Sequence, residues 1–139
     1  MRFWPDEAQF FLGHYADLEV VHPDYSKRRT WVGHGGFGKF CDMSGPIACL
    51  YLPERYMPTN GETDIRIIPV SPRDAAMELV RHSFIATIVE ADEMQPDRLD
   101  FIAELVQSVP VRRVTYPSGL NNLSYVRSRI LEDLNTVGA

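Results

Sequence analysis

The sequence predicts an α/β fold: a single three-layer domain over residues 1–139, with a mostly parallel sheet of four or five strands, a C-terminal βαβαβα unit and an aromatic N-terminal helix. Three observations predict it. From Asp64 onward, β-branched apolar runs alternate with amphipathic stretches of helical spacing, the pattern of right-handed crossovers between parallel strands. These helical stretches open on proline or capping residues. Finally, 139 residues at 45% hydrophobic and 24% charged suffice for one core but are too few for two full domains.

Pro5, with Asp6 and Glu7 in the first turn, starts a helix expected to run to Leu18, since Phe11, Tyr15 and Leu18 share a face. His22-Pro23-Asp24-Tyr25-Ser26 reads as a turn, followed by the basic Lys27-Arg28-Arg29 and a short strand Thr30–Val32. Five glycines make 33–46 a loop. Ile47–Leu52 is apolar throughout, as a buried strand is, and Pro53–Gly61 is a turn-rich connection that would pair this strand antiparallel to the next.

The next strand spans Asp64–Val70. Ser71-Pro72-Arg73-Asp74 then combines a serine cap, a proline at the first helical position and an acid three residues after the cap, so a helix is expected over Pro72–His82. Phe84–Val89 reads as a strand. Leu99, Ile102, Val106 and Val109 define a helix after Pro96 that Pro110 ends. Val111–Tyr116 is a further strand, Pro117-Ser118-Gly119 a turn, and Asn121 or Asn122 the cap of a last helix with Leu123, Val126, Ile130 and Leu134 inward.

Composition is unevenly distributed along this fold. Nine of the 15 aromatic residues lie in the first 40, which are electrically neutral, so the whole formal charge of −5 belongs to 41–139. The aromatic segment is expected to pack on that acidic body or on a partner. An acidic chain of this kind repels nucleic acid and anionic lipid surfaces. No apolar run approaches the ~20 residues of a membrane span, and no secretory leader is read, Asp6 and Glu7 interrupting the N-terminal apolar stretch. Two cysteines in a chain with a sufficient core point to reduced thiols and a cytoplasmic protein.

In a parallel sheet the three strand-to-helix junctions would face one side, where ligands of open α/β sheets bind. They hold Ser71 and Arg73, then Glu90, Asp92 and Glu93, then Ser118, Gly119, Asn121 and Asn122. The helix starts among them suit a small anion such as phosphate. His34, Lys39 and Cys41, from the Gly-rich loop, complete that candidate site. Gly33-His34-Gly35-Gly36-Phe37-Gly38-Lys39-Phe40 resembles a phosphate-binding loop only in part. Phe40 stands where a Ser or Thr would hold Mg²⁺, and no helix follows.

Other chemistry is weakly signalled. Cys41, beside His34 and Lys39, is the better candidate for a reactive thiol, whereas Cys49 belongs to an apolar run. His34, Cys41, Asp42 and Cys49 lack paired metal-ligand spacing, so no metal or cofactor is expected. His14, His22, His34 and His82 accompany no nucleophile elbow, and Glu90 with Asp92 reads as a solvated acidic pair. Lys27–Arg29 with Tyr25 and Trp31 resembles a nucleic-acid grip but reads better as a solvated strand edge.

The leading expectation is therefore a small cytoplasmic binding protein, with Trp4, Phe10, Phe11 and Trp31 as anchors for a protein partner or a second copy. The rival is an enzyme or sensor for a phosphate- or nucleotide-like ligand at the strand ends, beneath the 33–45 loop.

Overall fold

The computed structural model describes residues 1–33, 38–59, 63–82 and 96–137. The chain forms two compact units, Met1–Gly45 and Pro46–Ala139. The expected strand Phe84–Val89, the acids Glu90, Asp92 and Glu93, and His34 lie outside the described residues.

The first unit is a small antiparallel sheet with one helix. Strand β1 (Arg2–Phe3) leads directly into α1 (Pro5–Leu12), and β2 (Glu19–His22) and β3 (Tyr25–Arg29) form a hairpin. Pro5 opens α1, and the Glu7 carboxylate accepts the Trp4 N–H at 2.9 Å, satisfying a donor the helix start leaves over. The helix ends at Leu12, not Leu18. Gly13 adopts the left-handed conformation (φ 75°) and its N–H donates to the Gln9 carbonyl at 3.1 Å, a terminating geometry that glycine accepts without Cβ strain. Pro23 and Asp24 do form a turn, but Lys27–Arg29 is no sheet edge. The order is β1-β3-β2, so β3 is the central strand, and the Met1 ammonium donates to the Thr30 carbonyl at 2.7 Å where β1 joins it.

The second unit holds β4 (Leu50–Tyr56), β5 (Arg66–Pro69), α2 (Pro72–His82), α3 (Pro96–Ser108), β6 (Val111–Pro117) and α4 (Leu123–Val137), the last preceded by a 3-10 turn at Leu120–Asn122. Its sheet has the order β4-β6-β5. Strand β6 pairs parallel with β4, Leu50 opposite Val111 through Tyr56 opposite Pro117, and antiparallel with β5, Arg66 opposite Thr115 through Pro69 opposite Arg112.

This overturns the expected mostly parallel sheet of four or five strands. Among the described residues there are two three-stranded sheets, one antiparallel and one mixed, with four helices. The reason lies between β5 and β6. A single helix returns the chain to its starting end and leaves the next strand parallel. Among the described residues two helices, α2 and α3, lie between β5 and β6 and pack on one another, and a second helical pass reverses the direction of the strand that follows. The antiparallel pairing expected between Ile47–Leu52 and Asp64–Val70 is also corrected: β4 and β5 run in opposite directions but are separated by β6. Strand β4 starts three residues later than expected and continues through Pro53. As an edge strand it tolerates a residue without an N–H.

Because paired residues share a sheet face, the register sorts the side chains. Leu50, Leu52 and Val111 meet Ala75 and Leu79 of α2 and Ile102 and Val106 of α3, forming the main core. Val114, 1% exposed, belongs to the other face. There α4 packs, its Val126 buried and its Asp133 reaching Tyr51 and Arg112.

Replacing Ile102 by Ala removes buried surface on the inward side of α3 and is expected to cost about 2–5 kcal/mol in denaturant unfolding. Phe101→Ser, one position along but exposed, is expected to change stability by no more than about 0.5 kcal/mol. Equal losses in the two variants would contradict the placement of α3.

Candidate interaction surface and strand-end sites

Two consecutive arginines in an otherwise apolar strand need partners on both faces of the sheet. Arg112 Nε lies 3.2 Å from Asp133 Oδ2 of α4, and the Tyr51 hydroxyl donates to the same oxygen at 2.8 Å. Burial, reinforced by the hydrogen bond to Asp133, pushes the Tyr51 hydroxyl well above the ordinary tyrosine range. On the other face, Arg113 Nη2 donates to Glu78 Oε1 of α2 at 3.1 Å, and Arg81 donates to Glu78 Oε2 at 3.2 Å. Glu78 is thus shared between the sheet and the last turn of α2.

Strand direction separates the expected ligand residues. Ser71 follows β5 and lies level with the start of β6, Val70 N–H donating to the Val111 carbonyl at 2.9 Å. Ser118, Gly119 and Asn121 follow the other end of β6, where Ser118 N–H donates to the Tyr56 carbonyl at 2.7 Å. By register Ser71 sits beside Pro110, so about 25 Å of extended chain separates it from Ser118 at the usual rise per residue. The structure therefore brings together Ser71 with Arg73, and separately Ser118 with Gly119 and Asn121. Lys39 and Cys41 belong to the first unit and are exposed, with the Cys41 thiol 3.7 Å from the Met43 carbonyl.

Local roles account for much of this chemistry. The Ser71 hydroxyl accepts the Asp74 N–H at 3.2 Å and donates to its carboxylate at 2.7 Å, the capping arrangement its spacing implies. Gly119 has φ 122°, and Asn122 Nδ2 donates to the Ser118 carbonyl at 3.0 Å, drawing the chain into the 3-10 turn. Two concavities remain beside these junctions. One of about 580 Å³ is lined by Ser71, Arg73, Glu78, Arg81 and Arg113, and one of about 830 Å³ by Asp64, Asn122, Tyr125, Arg129 and Glu132. The role of Glu78 and Arg113 was not read from the sequence, although Arg112-Arg113 inside a strand with buried valines on either side was the available signal. Among the described residues no three His, Cys, Asp or Glu side chains converge as metal ligands would.

The first unit offers a different kind of surface. Only one sheet face is packed by α1. Phe3 is buried there against Phe11, Ala8 is fully buried, and Arg28 lies over the Tyr15 ring at 5.0 Å. The other face carries Arg2, Arg29 and Glu19 in one row across the sheet, Arg29 and Glu19 ion-paired. Next to that row Lys27 Nζ sits 4.4 Å from the Trp4 ring, a cation–π arrangement. All four expected aromatic anchors are exposed: Trp4 44%, Phe10 48%, Phe11 40% and Trp31 76%. Trp31 borders a shallow hollow of about 130 Å³ with Met1, Arg2, Arg29 and Thr30.

Comparison with protein-family models, with curated proteins and with solved structures finds no match.

Removing the acceptor at the β4–β6–α4 junction with Asp133→Ala is expected to destabilise by about 2–3 kcal/mol, since Arg112 and Tyr51 lose their common partner. The Tyr51 shift also has a sign. Its hydroxyl keeps its proton in the folded chain at a pH where an unfolded tyrosine ionises, so its contribution is complete below the ordinary tyrosine range and is lost as pH rises beyond it. Alkaline denaturation curves should show that loss in the wild type and a shallower one in Tyr51→Phe. Identical curves would contradict the assignment.

Proposed function

We propose that this protein is a binding protein that docks another protein or a second copy of itself through the aromatic surface of its first unit. The observation that carries the reading is the exposure of Trp4, Phe10, Phe11 and Trp31, which puts large rigid apolar side chains in water within one 45-residue unit. Such residues are the usual energetic anchors of interfaces. No described helix is long and apolar enough to cross a membrane. The two cysteines are unpaired thiols, which supports a cytoplasmic setting.

A second reading, capture of a small anion, draws support from the 580 Å³ concavity at Ser71. Arg73, Arg81 and Arg113 line it with Asp74 and Glu78; Glu78 pairs with Arg81 and Arg113, and among the described residues Arg73 has no ion-pair partner. It no longer includes Ser118, Gly119 or Asn121. Titration with inorganic phosphate should then shift the Ser71 and Arg73 amide resonances and leave those of Ser118 and Asn121 in place. Unchanged Ser71 and Arg73 signals would remove this reading.

The leading reading is tested with a photo-cross-linking amino acid at Phe10 or Trp31 and, as a control, at Arg127 on α4. Discrete adducts with a second copy or another protein are expected from the first two positions and not from the control. A chain that gives no adduct above the control from either position is not a binding protein of this kind.

A further inference from the structure

The open sheet face of the first unit and the outward face of α3 are opposite in charge, and each carries an exposed aromatic side chain, Trp4 and Phe101. On the sheet face, Arg2, Lys27 and Arg29 outnumber the single carboxylate of Glu19, and Trp4 lies among them beneath Lys27. This local excess of positive charge stands out in a first unit that carries five basic and six acidic residues. On α3, Asp97, Asp100, Phe101 and Glu104 are all exposed. Their spacing of three, one and three places them along one stripe of the helix, with Ile102 and Val106 buried on the opposite side. The second unit as a whole carries nine basic and thirteen acidic residues.

Resting on the interaction reading above, we propose that the occupant of the Trp4 face is the α3 stripe of a second copy. Phe101 packs beside Trp4, and Arg2 and Lys27 face Asp100 and Glu104. The pairing fits both components: aromatic side chains gain from stacking in offset or edge-to-face geometry, and opposed charges steer the approach and fix the register. Because the two surfaces differ, the contact either repeats reciprocally about a two-fold axis or runs head to tail into a ring or an open chain. Exposed charges are screened within ~8 Å at physiological ionic strength, so the association weakens as salt is added.

Sedimentation velocity over a concentration series at low and high salt tests this with two charge-reversal variants. Arg2→Glu/Lys27→Glu inverts the sheet face and leaves the Arg29–Glu19 pair intact; Asp100→Lys/Glu104→Lys inverts the helix stripe. Far-ultraviolet circular dichroism verifies that each is folded. The wild type should self-associate in a salt-sensitive way, each variant alone should associate on the order of tenfold or more weakly, and an equimolar mixture should recover assembly, because each inverted surface meets its complement on the other variant. Should the sheet variant fail to fold, loss of assembly in the helix variant alone still decides the point. A wild type monomeric at every concentration and salt, or variants that assemble as the wild type does, overturns the proposal. If the wild type stays monomeric while Trp31 still cross-links to a different protein, the second-copy assignment fails and the interaction reading stands; a monomer without adducts removes both. Binding of a single-stranded oligonucleotide to the Trp4 face by a monomeric wild type also overturns it, in favour of a nucleic-acid platform.

Discussion

Strand β6 has one neighbour running with it and one running against it, and most features of the second unit depend on that arrangement. It fixes which ends of the strands coincide. The end shared by β4 and β6 carries the Ser118–Asn122 turn, and the end shared by β5 and the start of β6 carries Ser71 and the first turn of α2. It also puts Arg112 and Arg113 on opposite faces, where Asp133 of α4 and Glu78 of α2 meet them. The helices on the two faces are thus tied to one strand by one ion pair each, in addition to the apolar contacts of Val111 and Val114. These half-buried ion pairs contribute less to net stability than to register: a one-residue slip of β6 would put Val111 or Val114 in the place of one arginine and leave Asp133 or Glu78 facing an apolar side chain.

The local elements of the second unit were largely legible. Helix α2 runs over Pro72–His82 because serine, proline and aspartate at fixed offsets define its start through backbone geometry and hydrogen bonding alone. Helices α3 and α4 and strand β6 were readable from apolar spacing for the same reason. Strand direction was not, because periodicity carries no sign: an apolar run of four to seven residues looks the same whether its neighbour is parallel or antiparallel. One clue to strand order did exist. Pro53 lies in β4 and Pro69 in β5, and a proline inside a strand confines it to an edge, which leaves Val111–Tyr116 as the centre.

The first unit was harder to read. Its strands are short, and β3 consists of Tyr-Ser-Lys-Arg-Arg, whose polarity resembles a loop or an edge. The strand forms because one face alone is buried, and that face is built from an unusual set: Phe3, Ala8 and the Tyr15 ring beneath the Arg28 guanidinium. Long basic side chains can cover an aromatic ring and keep their charge near water, so a hydrophobic-pattern reading misses them. The excess of aromatics in this segment was visible in the sequence; their division between a packed face and an open one required the register.

The arrangement of β6 is tested most directly by the distance between Ser71 and Ser118. Spin labels introduced at these two positions as Ser71→Cys and Ser118→Cys, with Cys41 and Cys49 replaced by Ala, allow it to be measured by pulsed electron paramagnetic resonance. The antiparallel pairing of β5 with β6 predicts a separation of about 25 Å, the length of β6 between the two junctions. A separation of about 5–10 Å, as between the ends of neighbouring parallel strands, would contradict it and return both junctions to one edge of the sheet.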